Sequence, residues 1–254
     1  MNKKPVSYLQ TDARWKNKPY RVSGESSTIG SAGCGPTAAA MLIETITGKT
    51  FTPEDACNWS MKHGYKALNQ GTYYAYFTPQ FAEFGIDCQM LNWINTYGKP
   101  EHENHEKVVE KLKEGYYAIA LMNKGLWTSS GHFVVLWWQD DKVRINDPAS
   151  TKDARVNGDI QTFRSQVKYY WLVDAREYNK DDDEEEENMP RYNTLEEIRK
   201  SVPYAEETVQ KLIAKGAIRG GGAKDAEGNP ADMDLSRDML RMMVFNDRAG
   251  AYGD

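Results

Sequence analysis

Hydrophobic and polar positions along the chain are organised differently in its first part and in its middle part. The first part is rich in helical segments, which begin at typical capping residues and end at glycines. The first predicted helix covers residues 37–47 and ends at Gly48. The second begins at the cap Thr52, has Pro53 in its first turn and ends near Gly64. The third covers residues 103–113 and ends at Gly115.

The middle part is rich in β-branched and aromatic residues, which favour strands. It predicts strands at residues 117–122, 132–139, 142–146 and 167–173. The second and third of these are joined by Asp140 and Asp141, which predicts a β-hairpin. A helical half followed by a sheet half predicts an α+β fold.

Seven consecutive acidic residues, Asp181–Glu187, interrupt this pattern. Like charges at this density repel one another and bury nothing, so the segment is predicted to be a solvated linker. We therefore expect a first domain over residues 1–178, an acidic linker over 179–190 and a small helical domain over 191–254. A chain of 254 residues is long enough for one sizeable core and a small second unit.

The small C-terminal domain is predicted from caps, stops and apolar spacing. Thr194 caps a helix that runs through Lys200, and a second helix begins at 201–203 and ends at Gly216. A last helix over residues 235–249 is expected to turn four side chains inward, namely Met239, Leu240, Met243 and Val244. About 65 residues bury little core of their own, so this unit is expected to associate with copies of itself or to dock on the first domain.

Three residues with complementary chemistry lie at the ends of predicted elements. Cys34 stands at the mouth of the first predicted helix, His132 opens an apolar strand, and Asp147 follows the strand that pairs with it. The positive end of a helix and a nearby imidazolium both favour a thiolate. A carboxylate beside the imidazole holds its tautomer. Cys, His and Asp in this order are the minimum set for a cysteine hydrolase.

The motifs around these residues resemble a known family. Gly-Cys-Gly-Pro-Thr at residues 33–37, Gly-His-Phe-Val-Val at 131–135 and Asn-Asp-Pro-Ala at 146–149 are similar to those of the papain-like cysteine peptidases of family thirty-nine, in particular its soluble, transporter-free branch. The resemblance covers roughly residues 5–175. It implies a papain-like fold, Cys34 as nucleophile, His132 as general base and acid, and Asp147 as the orienting carboxylate.

Further site residues are expected around these three. An upstream glutamine serves the oxyanion hole in this family, which makes Gln10 the candidate here, beside the backbone N–H of Cys34. Gly33 and Gly35 are expected to leave room for a substrate backbone beside the sulfur. Substrate contacts are also expected from Gly131 and from Trp127, on the loop before His132.

The tail has a looser resemblance of its own. Residues 207–220 and 235–241 resemble a single surface-layer-homology repeat, and similar tails occur on phage-type cell-wall lysins. This context implies a cytoplasmic enzyme that acts at the bacterial cell wall after release. The tail is expected to bind the wall or to assemble the enzyme into a homo-oligomer.

Composition narrows the partners. The net charge is −5 and the chain has no basic stripe, so we expect no nucleic-acid partner. No apolar segment is long enough to span a membrane, and the basic N-terminus lacks the hydrophobic stretch of a secretory signal. The three cysteines argue against a disulfide framework, and Cys57 and Cys88 are expected to be packed thiols. His102 and His105 lack further ligands at zinc spacing, so we expect no metal and no cofactor.

Three functions stay open at this point. The leading one is a cysteine peptidase or amidase that cuts the peptides of bacterial peptidoglycan, as a phage-type endolysin does. The second is a peptidase with a protein or leader-peptide substrate. The third is a non-catalytic binding module that keeps the fold.

Overall fold

The computed structural model describes residues 2–179 and 190–253. The chain forms two compact units, divided between Lys180 and Asp181. The acidic run Asp181–Glu187, the centre of the predicted linker, lies outside the described residues. Among the described residues, no helix is long and apolar enough to cross a membrane.

The helices of the first unit surround one sheet. The three helices predicted for this unit are present as α2, α3 and α5, and the others were not predicted. The described helices are α1 (Ile29–Ala32), α2 (Cys34–Thr47), α3 (Pro53–Lys62), α4 (Phe77–Ala82), α5 (Glu103–Lys113), α6 (Asp153–Val156), α7 (Ile160–Gln166) and α8 (Arg176–Asn179), with a 3₁₀ turn at Tyr74–Tyr76.

Helix α2 begins three residues earlier than predicted, so Cys34 is itself its first residue. The helix ends as predicted at Gly48, whose φ of 65° is left-handed. The start of α3 is fixed by a capping box between Thr52 and Asp55, with Pro53 in the first turn.

The sheet has five antiparallel strands in the order β1-β5-β2-β3-β4. The four predicted strands have the predicted bounds, and a short strand was missed. The strands are β1 (Cys88–Met90), β2 (Tyr117–Met122), β3 (His132–Gln139), β4 (Lys142–Asn146) and β5 (Val167–Val173). Asp140 and Asp141 form the β3–β4 turn with φ values of 52° and 55°, the left-handed pair of a tight hairpin.

Alternate residues of β3 enter two separate cores. Phe133 and Val135 pack on the face that carries α2, together with Met41 and Leu42. Val134 and Leu136 pack on the opposite face, against α5 and α7. Helices packed on both faces of one antiparallel sheet confirm the expected α+β class.

The described part of the second unit has a core of its own, built from three α-helices and a two-stranded sheet that was not predicted. These elements are β6 (Arg191–Tyr192), α9 (Leu195–Ser201), α10 (Glu206–Ala214), β7 (Leu235–Ser236) and α11 (Arg237–Arg248). Leu235 and Ser236 are in β7 rather than in the last helix, because they pair with β6.

The prediction that Met239 points inward is wrong: it is 43% exposed. Leu240 and Val244 are buried, and Met243 packs against the same core. Residues 240 and 244 are one turn apart and set the buried face of α11, so residue 239 turns toward solvent.

Candidate active site

Cys34 is held at the first position of α2, directly after the capping residue Gly33. The backbone N–H groups of Phe133 and Gly35 and the side chain of His132 lie close enough to its sulfur to lower the pKa of the thiol. The side chain of Cys34 is half-buried, so a substrate can reach it. Helix α2, the N–H of β3 and the imidazole thus converge on one sulfur atom.

The two glycines beside Cys34 do not leave room for a substrate, contrary to the expectation. A Cβ atom on Gly33 would lie 2.6 Å from the carbonyl oxygen of Ile29, and one on Gly35 would lie 3.0 Å from Oγ1 of Thr72. The space that a side chain would take is already filled by protein. Both glycines therefore allow close packing around Cys34, and of the three glycines expected at the site Gly131 alone is exposed.

His132 and Asp147 meet because of the β3–β4 register. Val135 pairs with Asn146, so extending the ladder by one residue places Asp147 opposite Val134 and on the same face as His132. Nε2 of His132 lies 2.7 Å from Oδ1 of Asp147. This contact leaves Nδ1 of the imidazole for the Cys34 thiol, which fixes the orientation of the ring.

Asp147 is completely enclosed and has three partners. Its side chain is 0% exposed. Besides the imidazole, Oδ1 accepts a hydrogen bond of 2.8 Å from the backbone N–H of Ala149. Oδ2 lies 2.6 Å from Nη2 of Arg155. A buried carboxylate requires such partners, because desolvation without them is costly.

The contacts at the site lower the pKa of Cys34 and raise the pKa of His132. Burial alone would raise the pKa of Cys34, but the hydrogen bond and charge of His132 and the N–H groups of Phe133 and Gly35 lower it below its usual value. Burial alone would lower the pKa of His132, but the hydrogen bonds with Asp147 and Cys34 raise it to about 9. Both shifts favour a thiolate–imidazolium pair near neutral pH.

The other two cysteines have the opposite environment. Cys57 in α3 and Cys88 in β1 are buried and free, as expected for packed thiols. Desolvation by burial raises the pKa of both thiols above the usual value. The surroundings of the three thiols therefore shift the pKa of Cys34 down and those of Cys57 and Cys88 up.

Gln10 lies between the segments that carry the site. Its backbone N–H donates to the carbonyl of Pro148 (2.7 Å), directly after Asp147. Its side-chain Nε2 donates to the carbonyl of Gly30 in α1 (2.8 Å). Gln10 is buried, and Oε1 has no hydrogen-bond partner among the described residues. Because an amide nitrogen has two hydrogens, one remains for a further acceptor.

Trp127 does not wall a groove. It is 3% exposed and belongs to the core on the far face of the sheet, where its ring packs edge-on against Phe163 at 5.4 Å. The large ring gains more from burial than from solvent exposure, so the loop before His132 folds it inward.

Sequence reasoning missed Arg155. This residue lies on α6, eight positions after Asp147, in a polar segment with no motif. An ion pair with a buried carboxylate depends on where the chain after β4 returns, so no local signal in the sequence points to it.

Sequence reasoning also missed a group of aromatic rings beside Phe133. Tyr74 packs against Phe133 with ring centroids 6.4 Å apart, and against Tyr169 at 5.8 Å. Trp93 lies 5.9 Å from Tyr169 and is 70% exposed. Nζ of Lys168 lies 5.2 Å from the centre of the Tyr169 ring. We call these three rings, which connect to Phe133 through Tyr74, the aromatic ledge (Tyr74, Trp93, Tyr169).

Within residues 2–179 and 190–253, no group of three or more His, Cys, Asp or Glu side chains is arranged to hold a metal ion. His105, one of the two histidines considered as ligands, is buried and engaged elsewhere. Its Nδ1 lies 2.7 Å from the Tyr170 hydroxyl, and its Nε2 lies 3.0 Å from the carbonyl oxygen of Lys99.

A chain in which a helix-start cysteine, a strand-start histidine and a buried aspartate meet has the layout of a papain-like thiol hydrolase. The family model described as the Peptidase_C39 like family matches residues 8–178. The chain therefore belongs to this family and is a cysteine peptidase.

The chain was also compared with solved structures and with curated proteins. The crystal structure of a protein from Bacillus anthracis, described as a candidate C39-like peptidase, is 14% identical and has a TM-score of 0.37. The match covers 68% of this chain and 98% of that one. No curated protein matches the chain.

Proposed function

We propose that this cysteine peptidase hydrolyses peptide bonds through a Cys34–His132–Asp147 triad and that its substrate is the peptide part of bacterial peptidoglycan. The observation that carries the triad is the continuous chain of contacts from the Cys34 sulfur through the imidazole to Asp147. The lowered pKa of Cys34 and the raised pKa of His132 support a preformed ion pair.

The first half of the reaction forms a thioester. The Cys34 thiolate attacks the carbonyl carbon of the scissile bond, a C–S bond forms, and the carbonyl π electrons move to oxygen. When this intermediate collapses, the C–N bond breaks and the His132 imidazolium gives its proton to the leaving amine. The amine product departs, and neutral His132 remains beside the acyl group.

The second half is hydrolysis. Neutral His132 takes a proton from water as the oxygen attacks the thioester carbon. The new intermediate expels the Cys34 thiolate and yields the carboxylic acid, which restores the ion pair. Asp147 keeps the imidazole oriented in both halves and stabilises its charged form.

Two donors are proposed for the developing oxyanion. The first amides of an α-helix have no acceptor within the helix, and Cys34 occupies the first position of α2. Its N–H is therefore suitably placed for an oxygen bound at the sulfur. The second donor is the remaining Nε2 hydrogen of Gln10, which the contacts with Pro148 and Gly30 hold near the site.

The aromatic ledge is proposed to contact substrate in place of Trp127. It continues from Phe133, whose backbone N–H helps to lower the pKa of Cys34, to the exposed ring of Trp93. Lys168 adds a positive charge over this surface. Exposed Gly131, ahead of His132, remains a candidate contact on the strand side.

Peptidoglycan is the favoured substrate class because the tail resembles those of phage-type lysins. The enzyme would then be made in the cytoplasm and act at the wall after release. A protein or leader-peptide substrate is the second candidate, since the triad is equally suited to any peptide carbonyl. A non-catalytic module is disfavoured, because a polarised cysteine has no purpose in binding alone.

The second unit is proposed to control location or assembly. Its own core is complete, yet α11 exposes Met239, Met242 and Phe245 along one stripe, at 43%, 59% and 68%. Apolar side chains exposed side by side are typical of contact surfaces. Wall binding and homo-oligomer formation both fit such a surface.

The proposed function is tested by digesting purified cell wall and a soluble protein substrate with the full chain. New amino and carboxyl ends, identified by mass spectrometry, are expected from peptidoglycan peptides. The Cys34→Ala protein is the control and must release none. Cleavage of the soluble protein alone would favour the second candidate, and cleavage of neither would refute hydrolysis.

A further inference from the structure

Arg155 contacts the side of Asp147 that faces away from the imidazole. Its Nη2 lies 2.6 Å from Oδ2, while His132 lies on Oδ1. The Arg155 side chain is 17% exposed and Asp147 is 0% exposed, so solvent screens this pair only weakly. The contact is an ion pair rather than a well-aligned hydrogen bond, since Oδ2 has no hydrogen-bond partner among the described residues.

Arg155 is held in place by the buried Trp127. Its Nη2 donates to the Trp127 carbonyl (2.7 Å), and the Trp127 indole N–H donates back to the Arg155 carbonyl (3.0 Å). These reciprocal bonds fix the backbone and the guanidinium together. The core tryptophan that was expected to touch substrate instead anchors a charge behind the triad.

The charges from Arg155 to Cys34 alternate along the chain of contacts. Arg155 is positive, Asp147 negative, His132 positive and Cys34 negative in the ion-pair state, so the four groups sum to zero. Without Arg155 the sum would be −1 in a buried site. A net negative charge at the site disfavours the Cys34 thiolate.

We propose that Arg155 is a positioning residue that holds Asp147 with Oδ1 toward His132 and that favours the Cys34 thiolate by balancing the site charge. This inference rests on the proposed triad. Arg155 touches no reacting atom, and it acts only through Asp147.

Other titratable groups that face the thiolate do not confuse the test. Tyr20 and Cys57 lie on the α3 side of Cys34, and their charges would act on it. Desolvation by burial raises the pKa of both, so both stay neutral at the pH values where Cys34 ionises. On the sheet side the groups are His132 and Asp147, which are part of the proposal.

The test measures the rate of Cys34 alkylation by iodoacetamide against pH in the full chain, because this rate follows the thiolate fraction without turnover. The acid limb is the pH range in which this rate rises as the thiol ionises. For Arg155→Gln, the acid limb is expected to move to higher pH by on the order of half a unit, since one positive charge is lost near the buried thiolate. Arg155→Lys keeps the charge and is expected to keep the limb, with a lower kcat from looser geometry.

Two control variants separate charge from structure. Arg144→Gln removes an arginine paired with exposed Asp140, and it is expected to leave both limb and activity unchanged. Trp127→Phe removes the indole donor but keeps every charge and the backbone carbonyl that holds the Arg155 guanidinium, so it is expected to leave the limb in place.

An unmoved limb in Arg155→Gln, with or without loss of activity, would overturn the proposal, because a purely structural role predicts that result. If Arg155→Gln does not fold, Arg155→Lys decides, since a moved limb in this charge-retaining variant contradicts the charge argument. Failure of the triad itself looks different. In that case wild-type Cys34 would show no selective alkylation at all.

Discussion

Nε2 of His132 lies 2.7 Å from Oδ1 of Asp147 although fifteen positions separate them in the chain. The hairpin between β3 and β4 creates this contact, and its two-residue turn fixes the register. The relationship raises the pKa of His132 against the effect of burial and so prepares the imidazole for proton transfer. It is the basis for the predictions on reactivity below.

Cys34 is expected to react with iodoacetamide well before Cys57 and Cys88 at mildly acidic pH. Its pKa is lowered, whereas burial raises the pKa of the other two thiols. Peptide mapping after limited alkylation measures the order. His132→Ala should slow the labelling of Cys34 and leave the other two unaffected. Equal labelling of all three in the folded protein would contradict the assignment of the nucleophile.

Asp147→Asn is expected to lower kcat/KM by roughly a hundredfold or more and to move the alkaline limb of its pH profile to lower pH. In the wild type, burial lowers the pKa of His132, and contacts with Asp147 and Cys34 raise it to about 9, which places the limb there. Removing the charge of Asp147 removes one of the contacts that counteract burial, so the pKa of His132 falls.

Cys34→Ala and His132→Ala should instead abolish hydrolysis at every pH while circular dichroism stays that of the wild type. An Asp147→Asn enzyme with an unmoved alkaline limb would show that the limb belongs to another group.

Gly33→Ala is expected to destabilise the protein by about 1–3 kcal/mol and to reduce activity, because its Cβ would meet the Ile29 carbonyl oxygen at 2.6 Å. Gly131→Ala is the matched control. Its nearest neighbour would be a Leu121 methyl carbon at 3.8 Å, which is ordinary contact. Thermal unfolding compares the two. Equal midpoints would mean that the turn before α2 adjusts freely.

Trp93→Ala is expected to raise KM by roughly three- to tenfold on an extended peptide while alkylation of Cys34 stays unchanged. The ring is exposed and is not needed for the core, so its loss removes a contact surface only. Phe245→Ala, which removes another exposed aromatic ring in the second unit, is the control. A lower kcat without a change in KM would place Trp93 outside substrate binding.

A chain of residues 1–180 is expected to cleave a small soluble muropeptide as the full chain does and to act less well on whole cells. The first unit contains the triad and its own cores, and the second has a separate one. Sedimentation of a fluorescent 190–254 fragment with cell walls tests targeting, and light scattering of the full and shortened chains tests assembly. Loss of cleavage by a folded 1–180 chain would show that the tail completes the site.

The sequence by itself determined most of the strands, the main helices and the candidate triad. Caps, stop glycines and apolar runs are local signals, so α3, α5 and the strands β2 to β5 begin and end close to the predicted positions. His132 and Asp147 stand at the ends of two strands joined by a tight turn, and such strands meet without long-range information. Cys34 lies far from both in sequence, and its place beside them was implied by the resemblance to a known family.

Only the tertiary structure decided what surrounds these residues. The environment of Gly33 and Gly35, the burial of Trp127 and the inward or outward side of Met239 depend on which distant atoms occupy the neighbouring space. Arg155 reaches Asp147 through the path of the chain after β4, and Trp93 joins the aromatic ledge across strands that are distant in sequence. Packing and charge pairing act between residues far apart in the chain, and a linear pattern contains no record of those distances.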